Sequence, residues 1–152
     1  MKKSEFEGMV EKAFWGLETK FGFKKTETKF ENRSATVRFQ NTTTEVLLNY
    51  EIGNKPWLEI ADVHATENKS TLGWLLVESG IDKAPLPEQA FQPATLKVDG
   101  LEPVLQTMGQ QLLVHGTDLL NGDFTVLSKL QARAKKYAQA CNRYLAIRKQ
   151  KK

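Results

Sequence analysis

The chain reads as an α+β domain. The expected order is an N-terminal helix, a three- to four-stranded antiparallel meander, a short helix, and an antiparallel pair of longer C-terminal helices. Three observations predict it. Apolar residues near the N-terminus recur at helical spacing behind a capping box. Residues 35–63, ATVRFQNTTTEVLLNYEIGNKPWLEIADV, alternate apolar and polar side chains with turn residues between. Two later stretches return to helical spacing.

The first helix is expected over about residues 5–21. Ser4 and Glu7 stand at the spacing in which the serine oxygen accepts an amide three residues on and the glutamate reaches back. Phe6, Met9, Val10, Ala13, Phe14, Leu17 and Phe21 then share one face, as a 3.6-residue period requires. Gly22 is placed to end the helix in a left-handed turn. KKTETKFENRS, residues 24–34, is polar and fits either a loop or an extra edge strand.

The strands follow. Val37 and Phe39 alternate with Arg38 and Gln40; Val46, Leu48, Tyr50 and Ile52 with Leu47, Asn49 and Glu51; Leu58 and Ile60 with Trp57, Glu59 and Ala61. Period-two alternation of β-branched and aromatic residues is the strand signal. Asn41-Thr42-Thr43-Thr44 and Gly53-Asn54-Lys55-Pro56 have turn chemistry. Connections this short favour antiparallel neighbours.

Ser70 or Thr71 can cap a short helix over TLGWLLVESG, stopped at Gly80. Pro85, Pro87 and Pro93 punctuate a surface strap, and TLKV at 95–98 suits a short edge strand. Asp99 with Glu102 repeats the capping logic. Leu101, Val104, Leu105, Met108, Leu112 and Leu119 make a second amphipathic helix, ended by Asn121-Gly122, with Asp123 able to cap the next. In the last helix Leu127, Leu130, Ala134, Tyr137, Cys141, Tyr144 and Arg148 fall at alternating steps of three and four, a seam for packing along another helix. From about 124 to 149 it would run roughly 39 Å at 1.5 Å per residue.

Length, 152 residues, fits a single domain spanning 1–152 with its own core. No apolar run approaches the roughly 18 residues that span a bilayer. The N-terminal lysines lack the apolar block of a signal peptide, because Glu5, Glu7 and Glu11 interrupt it. A cytoplasmic location is the expectation. One cysteine, Cys141, excludes an internal disulfide and a multi-cysteine metal site. The net charge of +4 hides an asymmetry. Residues 129–152 hold nine basic side chains and no acid, so the other 128 residues, with 13 basic and 18 acidic, sum to −5.

The chemistry of a small-molecule enzyme is not gathered anywhere. There are two histidines. Asp62 and His64 share a strand face, while Glu59 points to the other. His115 sits near an apolar stripe and Cys141 on the apolar seam, where a thiol behaves as a small hydrophobe. Phosphate loop, dinucleotide fingerprint, nucleophile elbow and zinc-protease signature are all missing. No catalytic residue, cofactor or metal is expected. An enzyme assembled from distant residues would need a deep polar pocket containing His64 or His115.

Binding residues are the better candidates. Trp15 projects about 180° from Phe6 at the 100° helical step. Trp57 shares its sheet face with Glu59 and Ala61, opposite Leu58 and Ile60. Tryptophan is enriched at interface hot spots. The partner-binding candidates are therefore Trp15, Trp57, Glu59 and Asp62. Two arrangements are open: helices cover both sheet faces, making Leu47, Trp57 and Val63 a second core layer, or one face is free. Glu45, Glu51, Glu59, Asp62 and Glu67 can form a negative patch. A second candidate surface is the basic helical segment 124–152, through Lys135, Lys136, Arg143, Arg148 and Lys149. Cations near a helix C-terminus complement its dipole, and clustered cations also attract a phosphate backbone.

FGF followed by a polar loop, then ATVRFQN, TEVLLNYEIG and WLEIADV, resembles small bacterial immunity-type α+β proteins associated with polymorphic toxins. The resemblance covers residues 20–80 and is one of pattern. It implies a stoichiometric protein inhibitor without a cofactor, and it carries over no individual residue. A protein partner is thus the first expectation and nucleic acid the alternative.

Overall fold

The structure is a computed structural model, which describes residues 1–87 and 100–150. Two helices, α1 (Lys3–Ala13) and α2 (Trp15–Phe21), precede a five-stranded sheet: β1 (Lys24–Phe30), β2 (Ser34–Gln40), β3 (Thr44–Glu51), β4 (Trp57–Asp62) and β5 (Ala65–Thr71). Then come α3 (Leu72–Glu78), α4 (Leu101–His115), α5 (Thr117–Leu120) and α6 (Leu127–Gln150). The strands lie in sequence order, each antiparallel to the next. The α+β order expected from the sequence is present, with five strands in place of three or four.

The central register follows from the turns. Val37 faces Leu48 and Leu48 faces Leu58, so the apolar sets of three strands fall on one side of the sheet, as period-two side chains demand. Phe6 stacks on Tyr50 and tilts against Phe30, and Phe14 meets Phe39, all at centroid separations just under 6 Å. Helices α1 and α2 thereby cover this face, and α4 packs on α1. Leu101, Leu105 and Leu112 of α4 are completely buried in the same core.

The single N-terminal helix expected over 5–21 is broken at Phe14, which caps α1 with φ −110° and ψ 18°. The break sits where α4 comes closest: a Cβ on Gly109 would overlap the Ala13 carbonyl oxygen, and one on Gly16 would overlap Leu113. Gly22, at φ 69°, ends α2 in the left-handed region, where a glycine carries no Cβ penalty. The stretch read as one helix through Leu119 is likewise divided, at Gly116.

Residues 24–34, open between loop and edge strand, contain edge strand β1. Its Lys24, Lys25, Glu27 and Lys29 put charge along the rim, a feature that discourages edge-to-edge pairing. Strand β5, ATENKST, has no apolar alternation because only Ser70 is buried in it. Three residues, 66–68, bulge between the Asp62–Ala65 and Ala61–Lys69 pairs. Thr71 caps α3 by accepting the Trp74 amide. The strand expected at 95–98 and the Asp99 cap lie outside the described residues.

Both longer C-terminal helices are present, and each finds its principal partners elsewhere. While α4 joins α1, α6 packs on β5 and α3. Leu127 and Leu130 are fully buried, Ala134, Tyr137, Cys141 and Tyr144 half-buried, and Arg148 exposed, so the seam holds for about four turns and then runs out. Gln131 donates to Asn68 Oδ1 and the Lys69 carbonyl, pinning α6 to the edge strand.

Candidate partner-binding surface

Because the helices that cover the sheet gather on the Val37–Leu48–Leu58 side, the other side of the central strands faces outward. Its rows follow from the register: Glu27, Arg38, Leu47 and Glu59 stand side by side, and Gln40, Glu45, Ala61 and Lys69 form the next row. Trp57 stands opposite Asn49 at the end of β4 and is 41% exposed. The reading with Trp57 as part of a second core layer therefore does not hold.

Charges on this face are matched in pairs. Arg38 donates through Nη1 to Glu45 Oε1 and approaches Glu27 Oε2 at 3.8 Å through Nε. Lys29 pairs with Glu27 at 3.2 Å, and Lys69 with Glu59 at 3.5 Å. Glu45 is only 4% exposed, although it sits on the outward side. A cleft of about 230 Å³ opens beside it, lined by Leu47, Ala61 and the bulge residue Thr66 as well as the charged pairs. A buried carboxylate needs a partner that satisfies it, and Arg38 with Gln40 Nε2 fills that role.

The expected negative patch is consequently dispersed. Glu45 and Glu59 are paired, Glu51 accepts from Asn54, and Asp62 accepts the His64 amide in the β4–β5 turn. Asp62 faces Thr44 across the strands and is not beside Trp57 and Glu59 on their face. Trp15, 62% exposed, opens α2 in the helical layer and does not share a strand or a cleft with Trp57. Of the four partner-binding candidates, then, the fold places Trp57 and Glu59 together, and Asp62 and Trp15 elsewhere. Arg38 and Lys69 belong to the surface and were not singled out from the sequence, and Glu45 was named there only as part of a negative patch. The signal was the pairing of β2, β4 and β5 onto one face, which requires the register. Trp74 is occupied: its ring meets Tyr137 edge-on at 5.4 Å, joining α3 to α6.

A larger groove of about 630 Å³ runs between the start of β4, α3 and α4, with Trp57, Leu58, Leu72, Leu76 and Met108 in its walls. Among the described residues, Lys55 and Asp82 are the only charged ones lining it. His64 is exposed, with Nε2 at 3.2 Å from the Thr42 carbonyl. Neither histidine lines this groove, the cleft at Glu45, or the small polar cleft at Asp118. Among the described residues no cluster of three histidine, cysteine or acidic side chains is arranged to hold a metal, and no helix is long and apolar enough to cross a membrane. No protein-family model, curated protein or solved structure matches the chain.

The basic residues occupy a surface of their own. Lys135, Lys136, Arg143, Arg148 and Lys149 are all exposed on α6.

Proposed function

We propose that this chain is a non-enzymatic protein-binding module that docks its partner on the outward sheet face, in the manner of a cytoplasmic immunity protein occluding a bacterial toxin. The observation that carries the reading is Trp57, 41% exposed at the start of β4, where it stands two positions from the Glu59–Lys69 ion pair and lines the groove against α3 and α4. An exposed tryptophan is the kind of side chain that anchors interface hot spots. The paired charges then serve orientation and encounter more than affinity. The pattern resemblance to immunity-type proteins over residues 20–80 points the same way.

The decisive experiment co-expresses the chain with toxin domains encoded beside it. The expected result is stoichiometric co-purification, protection of cells from the toxin, and a loss of about 2 kcal/mol, near thirtyfold in affinity, for Trp57→Ala. Failure to protect, or a Trp57→Ala variant that binds as tightly as the parent, overturns the reading.

A further inference from the structure

The helix dipole accounts for only part of the positive charge on α6. Its favourable effect on cations is confined to the last turn, which here contains Arg148 and Lys149. Lys135 and Lys136 lie fourteen or more residues before Gln150, about 21 Å at 1.5 Å per residue. Arg143 is nearly two turns before it. None of these three has an ion pair among the described residues, whereas Arg133 on the same helix meets Glu78.

Their placement around the helix is ordered. At about 100° per residue, Lys135, Lys136, Gln139, Asn142, Arg143 and Ala146 fall on the side facing away from the Leu130–Tyr137–Cys141 seam. All six are exposed. This face thus carries cations interleaved with side-chain amides and no acid, with a single exposed apolar side chain, Ile147, at its margin. Lys136 and Arg143 stand about 10.5 Å apart along the axis.

We infer that this face of α6 binds the phosphate backbone of a double-helical nucleic acid without reading its sequence. The inference goes beyond the protein-docking reading and uses a separate surface. Each alternative anion lacks something the face would need. A membrane surface calls for an exposed apolar side to the helix, and the apolar side of α6 packs on α3 and β5. Single strands are held by stacking on aromatic rings, and both tyrosines of α6 lie toward the seam. A protein interface is anchored by buried aromatic or branched side chains, and none stands among the six. A duplex requires only cations and hydrogen-bond donors: it presents about one charge per 1.7 Å of axis, and arginine, lysine, asparagine and glutamine all contact its phosphates and sugars.

The test uses the full chain and a short fluorescein-labelled DNA duplex, with the RNA duplex of the same sequence as a second arm, read by fluorescence anisotropy. Engagement of Lys135, Lys136, Arg143 and Lys149 predicts that log K falls with log salt at a slope of about −3 to −4, a loss near 100-fold between about 50 and 200 mM. The variant K135Q/K136Q/R143Q should retain its circular dichroism and thermal midpoint, weaken binding at least about tenfold, and reduce the slope to about −1. The charge-preserving K135R/K136R/R143K should bind like the parent. Removing equal charge from the body, K2Q/K3Q/K20Q, should leave binding unchanged. Equal affinity for the two duplexes identifies the backbone alone as the ligand, and a preference identifies which duplex form is held. The inference is overturned by no binding at low salt, by a K135Q/K136Q/R143Q variant that binds like the parent, or by equal weakening from the body variant. Competition by polyglutamate or by phosphatidylserine vesicles as strong as that by unlabelled duplex also overturns it.

Discussion

The Thr44 hydroxyl donates to the Leu119 carbonyl at 2.6 Å, joining the first residue of β3 to α5 across 75 positions of sequence. Asn41, in the turn before β3, completes the junction. Its Oδ1 accepts from Thr43 and Thr44, and its Nδ2 donates to the carbonyls of Phe21 and Leu120. Helix ends leave carbonyls without intrahelical donors. One turn of the sheet thus satisfies the ends of two helices that have no other link in sequence.

Removing a donor there strands a buried acceptor. Thr44→Val is expected to cost about 1–3 kcal/mol, measured by urea unfolding. Asn41→Asp is expected to cost more than Asn41→Ala, because it turns a carboxylate toward two carbonyl oxygens. An Asn41→Asp variant as stable as the parent would remove the junction from the account of stability.

Two glycines in neighbouring helices should respond in opposite directions. Gly109→Ala puts a methyl group into the Ala13 carbonyl and is expected to destabilise by about 1–3 kcal/mol. Gly8, exposed on α1, meets nothing within 4 Å of an added Cβ. Gly8→Ala is expected to stabilise by about 0.5–1 kcal/mol through helix propensity. Thermal midpoints measured side by side check both signs.

Arg38 and Glu45 should behave as a coupled pair. Arg38→Met leaves the Glu45 carboxylate buried without its cation, at an expected cost of about 2–3 kcal/mol. Adding Glu45→Met to that variant should recover most of the loss, since it removes the stranded charge. A double-mutant cycle with zero coupling would show the pair to be independent.

Asp123 offers a titration test. The Thr125 hydroxyl, and then the Thr125 amide, hold its carboxyl below the ordinary aspartate range. A folded value below the unfolded one means the contribution is fully present above the ordinary aspartate value and is lost as pH falls through the folded value. Thr125→Ala should move the carboxyl back up, as read by NMR titration. An unchanged value would assign the depression to the backbone alone.

The central strands were legible because each carries its apolar residues at period two between turn clusters. The core face of β2, β3 and β4 therefore followed directly from Val37, Leu48 and Ile60. Trp57 and Glu59 were likewise legible as sharing one face, two positions apart on one strand. Strand β5 was not, because an edge strand with one buried residue needs no apolar rhythm. The breaks at Phe14 and Gly116 were hidden too: apolar spacing continues through both, and the first break coincides with a close contact from distant α4.

Local pattern determined the kinds of element outside the two edge strands, the buried side of each central strand, and the concentration of positive charge near the C-terminus. Those properties depend on spacing along the backbone, which a sequence displays. Tertiary structure alone decided which sheet face stayed open, that Arg38 neutralises Glu45, and that α6 packs on α3 and β5 and turns Lys135, Lys136 and Arg143 outward. Each of these depends on residues far apart in the chain meeting in space, and no local period encodes such a meeting.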